Sequence, residues 1–165
     1  MPNIDDFKNF LAIIRKQTGL DMLVPDDDGL LTFRVDDQYN ISLQFIETTG
    51  KILCFVEVAT LPSDAGVAVY RDLLAGTLFG KETGGGYFAL EAESNAVIYN
   101  YMFDFDKAAA EPENFVETLE NILQLVDIWA DRINDDLGKK DTAEKKDDIA
   151  SAAFPNQPST LFFRP

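Results

Sequence analysis

The sequence predicts an α+β fold in the order α-βββ-α-ββ-α, with a twisted, mainly antiparallel five-stranded sheet packed by helices. Three observations predict it. Apolar residues recur at helical spacing near the start, in the middle and after residue 112. Between the first two of these segments, short runs alternate apolar and polar residues and are joined by turns too short for a crossover. A glycine cluster at 84–86 then opens a further pair of strand-like runs.

The elements follow in order. Asn3 offers a helix cap, with Asp5 and Asp6 in the first turn where the helix dipole favours acids. Ile4, Phe7, Leu11 and Ile14 form a stripe widened by Phe10 and Ile13, which predicts an amphipathic helix over 4–17 with Gly19 as its stop. After the turn Pro25-Asp26-Asp27-Asp28-Gly29, alternation at Leu31, Phe33 and Val35 and again at Ile41, Leu43 and Phe45 predicts two strands. A third run, Ile52 to Val58, is apolar on both faces until Glu57 and reads as interior to the sheet. The first strand, Leu30 to Val35, has a chain neighbour on one side only and is expected at a free edge.

Leu61-Pro62-Ser63-Asp64 ends this meander and starts a helix over about 64–79, in which Val67, Tyr70, Leu74 and Leu78 share a stripe beside Leu73. Gly76 lies inside it and costs roughly 1 kcal/mol relative to alanine, which points to close backbone packing. Strands Tyr87–Glu91 and Ala96–Phe103 form a hairpin around Ser94-Asn95. Pro112 then opens a long helix over 112–137, where Phe115, Leu119, Ile122, Val126, Trp129 and Ile133 step by 4, 3, 4, 3 and 4 and read as core, with Gly138 as its end. Residues 1–137 are thus expected to be one α+β domain. Residues 138–165 are charged, then rich in Ser, Ala and Pro, then apolar, and are expected to be an extended tail.

Composition narrows the function. The 165 residues are 46% hydrophobic, so the chain has material for a core, and thirteen phenylalanines against one tryptophan suggest that some rings lie on a surface meant for a partner. The formal charge is −15; residues 138–165 contribute +1, which leaves −16 on the first 137. Such a field repels nucleic acid and anionic membranes, and either serves solubility or draws a basic client. No run approaches about 18 consecutive apolar residues, so no membrane insertion is expected. The N-terminus lacks a signal peptide's cationic start and apolar stretch, and the single cysteine supplies no internal disulfide; a cytoplasmic location is expected.

The chain contains no histidine, which removes the commonest general base, the Ser/His and Cys/His nucleophile pairs and most zinc sites. Cys54 sits mid-strand between Leu53 and Phe55 and reads as a buried thiol. Asp26-Asp27-Asp28-Gly29 lacks the spaced ligands of a calcium loop, and Gly84-Gly85-Gly86 is followed by a strand and not by a phosphate-binding helix start. No catalytic residue, metal site or cofactor is expected.

The order of features resembles a known family. Leu31-x-Phe33-x-Val35-Asp36-Asp37, Ile41-x-Leu43-x-Phe45-Ile46-Glu47, Val58-Ala59-x-Leu61-Pro62, Leu73-Leu74-Ala75-Gly76-Thr77-Leu78-Phe79, the glycines 84–86 and Tyr87-Phe88-Ala89-Leu90-Glu91 together resemble the class I type III secretion chaperones of the Tir-chaperone kind. So does the closing helix with its Phe115, Leu119 and Ile122 spacing. The resemblance covers about residues 3–137 and departs at Gly76-Thr77 and in the tail. It implies a bacterial homodimer, paired through the second helix and neighbouring hairpin strand, that holds an extended N-terminal segment of a secreted effector in an export-competent state. On that implication Val67, Tyr70, Leu74, Leu78 and Tyr87 are candidate dimer residues. Thr32 and Arg34 on the edge strand, Phe7, Phe10 and Ile14 on the first helix, and Tyr99, Tyr101 and Phe103 on the long hairpin strand are candidate effector contacts. Phe154, Leu161, Phe162 and Phe163 are expected to dock the tail on an apolar patch. The alternatives from other classes are a non-catalytic regulatory or small-ligand-binding domain of similar build, and an enzyme working with carboxylates alone.

Overall fold

The computed structural model describes residues 1–35 and 37–153, with side chains as far as Lys139. The elements are α1 (Ile4–Thr18), β1 (Leu30–Val35), β2 (Tyr39–Ile46), β3 (Lys51–Thr60), α2 (Val67–Thr77) followed by a 3-10 turn (Leu78–Gly80), β4 (Tyr87–Glu91), β5 (Ala96–Asp104), α3 (Phe105–Ala110) and α4 (Pro112–Ala153). The strands form one antiparallel sheet in the order β1-β2-β3-β5-β4. The central strand is β3, between β2 and β5, and β1 and β4 are the two edges.

Local chemistry accounts for the boundaries. Asn3 Oδ1 accepts from the N–H groups of Asp5 and Asp6, and Asp6 returns a bond to the Asn3 N–H, closing a reciprocal cap on α1. Gly19 ends that helix at φ 74°, a conformation that costs glycine little. The hairpin between β4 and β5 turns through Asn95, also at positive φ.

The core lies between one face of the sheet and helices α1, α3 and α4. Ile52, Cys54, Val56 and Val58 of β3 and Val97, Tyr99 and Phe103 of β5 point into it, against Phe115, Leu119, Ile122, Val126, Trp129 and Ile133 of α4. Rings organise the α1 end: Phe7 stacks on Phe45 at 5.2 Å, and Phe10 meets Phe105 and Phe115 edge-on at 5.8 and 5.1 Å.

Three expectations are corrected here. The second helix is shorter than 64–79, because Gly66 starts it without a side-chain cap and the chain leaves it at Leu78. A six-residue helix, α3, was not foreseen; Asp104 caps it by accepting from the Lys107 N–H. The last helix does not end at Gly138. It runs 42 residues, to Ala153, so residues 138–153 are helical and not extended. Gly138 does not adopt the left-handed conformation of a helix stop, and the Lys, Ala and Glu residues after it favour helix. Phe154, Leu161, Phe162 and Phe163 lie outside the described residues.

Candidate functional site

Helix α2 carries two apolar stripes. Val69, Leu73 and Gly76 turn inward and are buried. The other stripe faces out: Val67, Leu74 and Leu78 are 71%, 75% and 61% exposed, and Tyr70 is half-buried. Packing the inner set on the protomer's own core leaves the outer set without a cover among the described residues. Beside it, the Leu90 side chain of edge strand β4 is also exposed, and α2 and β4 bound an apolar groove lined by Tyr70, Leu73, Leu74, Phe88, Leu90 and Val97. Tyr87 is separate from this cluster. It pairs with Asn100, so it stands on the opposite face of β4 from Phe88 and Leu90, which pair with the buried Tyr99 and Val97.

The glycine loop between α2 and β4 is built around Tyr99. The Tyr99 hydroxyl donates to the Thr83 carbonyl at 2.7 Å, and the Thr83 hydroxyl, itself fully buried, donates to the Gly86 carbonyl at 2.6 Å. A Cβ on residue 86 would stand 2.3 Å from the Tyr99 hydroxyl, so only glycine fits there. Burial of the phenol, helped by nearby Cys54 and Tyr101, pushes the Tyr99 pKa above its ordinary value. Tyr99 is thus a post that holds the loop, and as a fully buried ring it is not a surface for a client.

The same correction applies to α1. Phe7, Phe10 and Ile14 were expected to form a client pocket, yet they are 0%, 3% and 1% exposed. Their stripe faces the aromatic row of the sheet, and ring-on-ring packing uses it up. Phe10 alone reaches a surface depression, of about 620 Å³, whose floor includes Ile13 and Phe105 and whose rim carries Asp6, Asp104 and Asp106. Of the hairpin trio, Phe103 is buried and Tyr101 half-buried, their rings 4.7 Å apart, and both border a second depression with Met102, Lys107 and Phe115. Thr32 and Arg34 are exposed as expected, on the sheet face opposite the core. Thr32 shares a 2.8 Å hydrogen bond with Ser42, and Arg34 donates to the Asp37 carbonyl. Among the described residues β1 pairs with β2 alone, which leaves its outer edge open.

Sequence reasoning passed over Phe79 and Leu90. Phe79 lies in the 3-10 turn after α2 and is 87% exposed. Periodicity places Leu90 on the inner side of β4, but β4 is an edge strand, so that side opens beyond the core.

Elsewhere the chemistry is quiet. Burial raises the Cys54 thiol to about 12, and the residue is fully enclosed. Among the described residues, no cluster of three or more His, Cys, Asp or Glu is placed to hold a metal, and no helix is long and apolar enough to cross a membrane.

Comparison with known proteins agrees with this architecture. A Chlamydia pneumoniae protein is 26% identical over 134 residues, spanning 81% of this chain and 95% of its own length. The fold is similar to that in the ExsC–ExsE complex, with a TM-score of 0.66 at 19% identity over 79% of this chain and 95% of that one. It is also similar to a chain of the HopA1–SchA chaperone–effector complex, at 0.59 and 19% identity over 78% and 93%. A third likeness is to the Yersinia pestis type III secretion chaperone SycH in complex with a fragment of YscM2, at 0.54 and 15% identity over 72% and 98%. The model of the Tir chaperone protein (CesT) family matches residues 9–130, and the chain belongs to that family.

Proposed function

We propose that this protein is a type III secretion chaperone that works as a homodimer, holding an extended N-terminal segment of a secreted effector in a soluble, export-competent form. The observation that carries the reading is the uncovered apolar face of α2 and β4 on a chain of charge −15. A monomer that kept Val67, Leu74, Leu78 and Leu90 in water would expose a contiguous apolar patch, which soluble monomers seldom do. A second copy covers it. The chaperone–effector complexes among the solved structures of similar fold support the client half of the reading.

In this account the client lies on other surfaces. The open edge of β1, with Thr32 and Arg34 beside it, offers main-chain hydrogen bonds to an added strand. The depression by α1 offers Ile13 and the edge of Phe10 to an apolar side chain, with Asp6, Asp104 and Asp106 to meet a basic one. Residues 1–137 form the holding domain, and the protein does no chemistry on its client. It acts in the bacterial cytoplasm, where effectors are loaded for export.

Light scattering on the purified chain tests the dimer. The wild type is expected at twice the 18.4 kDa chain mass, and Leu74→Glu, which puts a charge on the exposed stripe without touching the core, at the chain mass itself. A wild type that runs as a monomer would remove the homodimer from the account.

A further inference from the structure

Phe79 combines two unfavourable features. Its ring is 87% exposed, and its backbone lies at φ 58° and ψ 12°, the left-handed region that aromatic residues rarely adopt. The chain holds it there. Gly80, at φ 65°, accepts a hydrogen bond on its carbonyl from the Gly85 N–H at 2.9 Å, and a Cβ on residue 80 would stand 2.8 Å from Gly85 Cα. The loop is therefore closed on itself by its backbone, and the ring stands outward. Strain of this kind persists where the surroundings enforce it, and it collects at sites of binding.

The groove between α2 and β4 is lined in part by Thr77, two residues before Phe79; it has a volume of about 180 Å³ and also takes in Leu73, Phe88 and Val97 with Tyr70, Leu74 and Leu90. The segment that carries both ring and groove is nearly neutral. Between residues 67 and 91, Arg71 and Lys81 oppose Asp72, Glu82 and Glu91, a net −1 in a chain of −15. A strongly basic partner has little to attract it here. Another copy of the chain, which carries −15 overall, meets little repulsion at this face. A protruding ring and a groove carried by one segment suit a two-fold interface, since each copy must give and receive the same contact.

We propose that Phe79 of one copy seats in the α2–β4 groove of a second copy, which returns its own Phe79 in exchange. This rests on the homodimer reading and specifies its anchor. The test is sedimentation equilibrium of the full chain. Phe79→Asn keeps a residue that tolerates the left-handed backbone and removes only the ring. The expected result is a dimer dissociation constant raised at least about 30-fold, the loss typical of a hot-spot residue, with unchanged circular dichroism and a melting temperature no lower for the dissociated chain. Mixing a Phe79→Cys chain with a Leu90→Cys chain under mild oxidation is expected to yield a cross-linked dimer. If Phe79→Asn stays within about threefold of wild type while Leu74→Glu dissociates, the homodimer stands and the Phe79 seat is wrong. Absence of the cross-link overturns the seat in the same way. A wild type that is monomeric, its groove left to an effector or to the chain's own end, overturns both.

Discussion

The Trp129 indole lies against the backbone of Gly76, so closely that a Cβ at that position would stand 2.2 Å from its Cη2. This contact joins α4 to α2 and sets which stripe of α2 turns inward. The indole N–H also donates to the Glu82 carbonyl at 3.1 Å, and the Arg132 guanidinium lies over the ring at 4.3 Å while it bridges Asp72 and Glu82. One helix face thereby grips both α2 and the loop that carries Phe79.

Gly76→Ala is expected to destabilise the fold despite alanine's better helix propensity. Propensity favours alanine by roughly 1 kcal/mol. The clash with Trp129 cannot be relieved without moving a buried ring, and overpacking of that kind costs about 1–3 kcal/mol. Urea unfolding should show a lower midpoint. A midpoint at or above wild type would mean that α4 and α2 are not held this close.

Tyr99→Phe removes the hydroxyl that satisfies the Thr83 carbonyl inside the loop. The Thr83 carbonyl keeps the Gly86 N–H as its other partner, so the loss is that of one hydrogen bond, about 0.5–1.5 kcal/mol. Hydrogen exchange should quicken first at the loop amides of Gly85 and Gly86, whose bonds close it. Unchanged protection there would refute the role of Tyr99 as the loop's support.

Cys54 should be inert to a thiol reagent in the native protein and react fully in denaturant, because burial holds its thiol near 12 and encloses it. Rapid native labelling would place β3 at a surface and not in the middle of the sheet.

Asp104 gives the acid side of the stability curve. A 2.7 Å bond from Lys51 Nζ, with the Lys107 N–H, holds its carboxyl below the ordinary 3.8. A carboxyl lowered on folding contributes stability that is complete above the unfolded value and is lost as pH falls through the folded one. Asp104→Asn should therefore flatten the loss of stability below pH 3.8, as followed by thermal melts at stepped pH. Parallel curves for the two proteins would show that the pair is not formed.

Much of the fold was legible because its signals are local. Asn3 and Gly19 bracket α1, short turns dictate the antiparallel meander, and the spacing of Phe115 through Ile133 marks the buried side of α4. Helix α3 was too short to show a period, and a lone glycine at 138 resembles a stop until its dihedrals are seen. The site was less legible. Periodicity says that a stripe is to be covered, not by what: Phe7, Phe10 and Ile14 are covered by the protomer's own rings, whereas Val67, Leu74 and Leu78 are left open. Only Gly76 hinted at which side of α2 packs inward. Nothing in the letters around Phe79 announces a left-handed backbone, because that is imposed by the closed glycine loop.

The most direct test is co-expression with the N-terminal segment of a secreted protein encoded beside this chain's gene, followed by size exclusion with light scattering. The account predicts a soluble particle of two chaperone chains and one segment, with the segment insoluble when expressed alone. A monomer that leaves every such segment insoluble would contradict it.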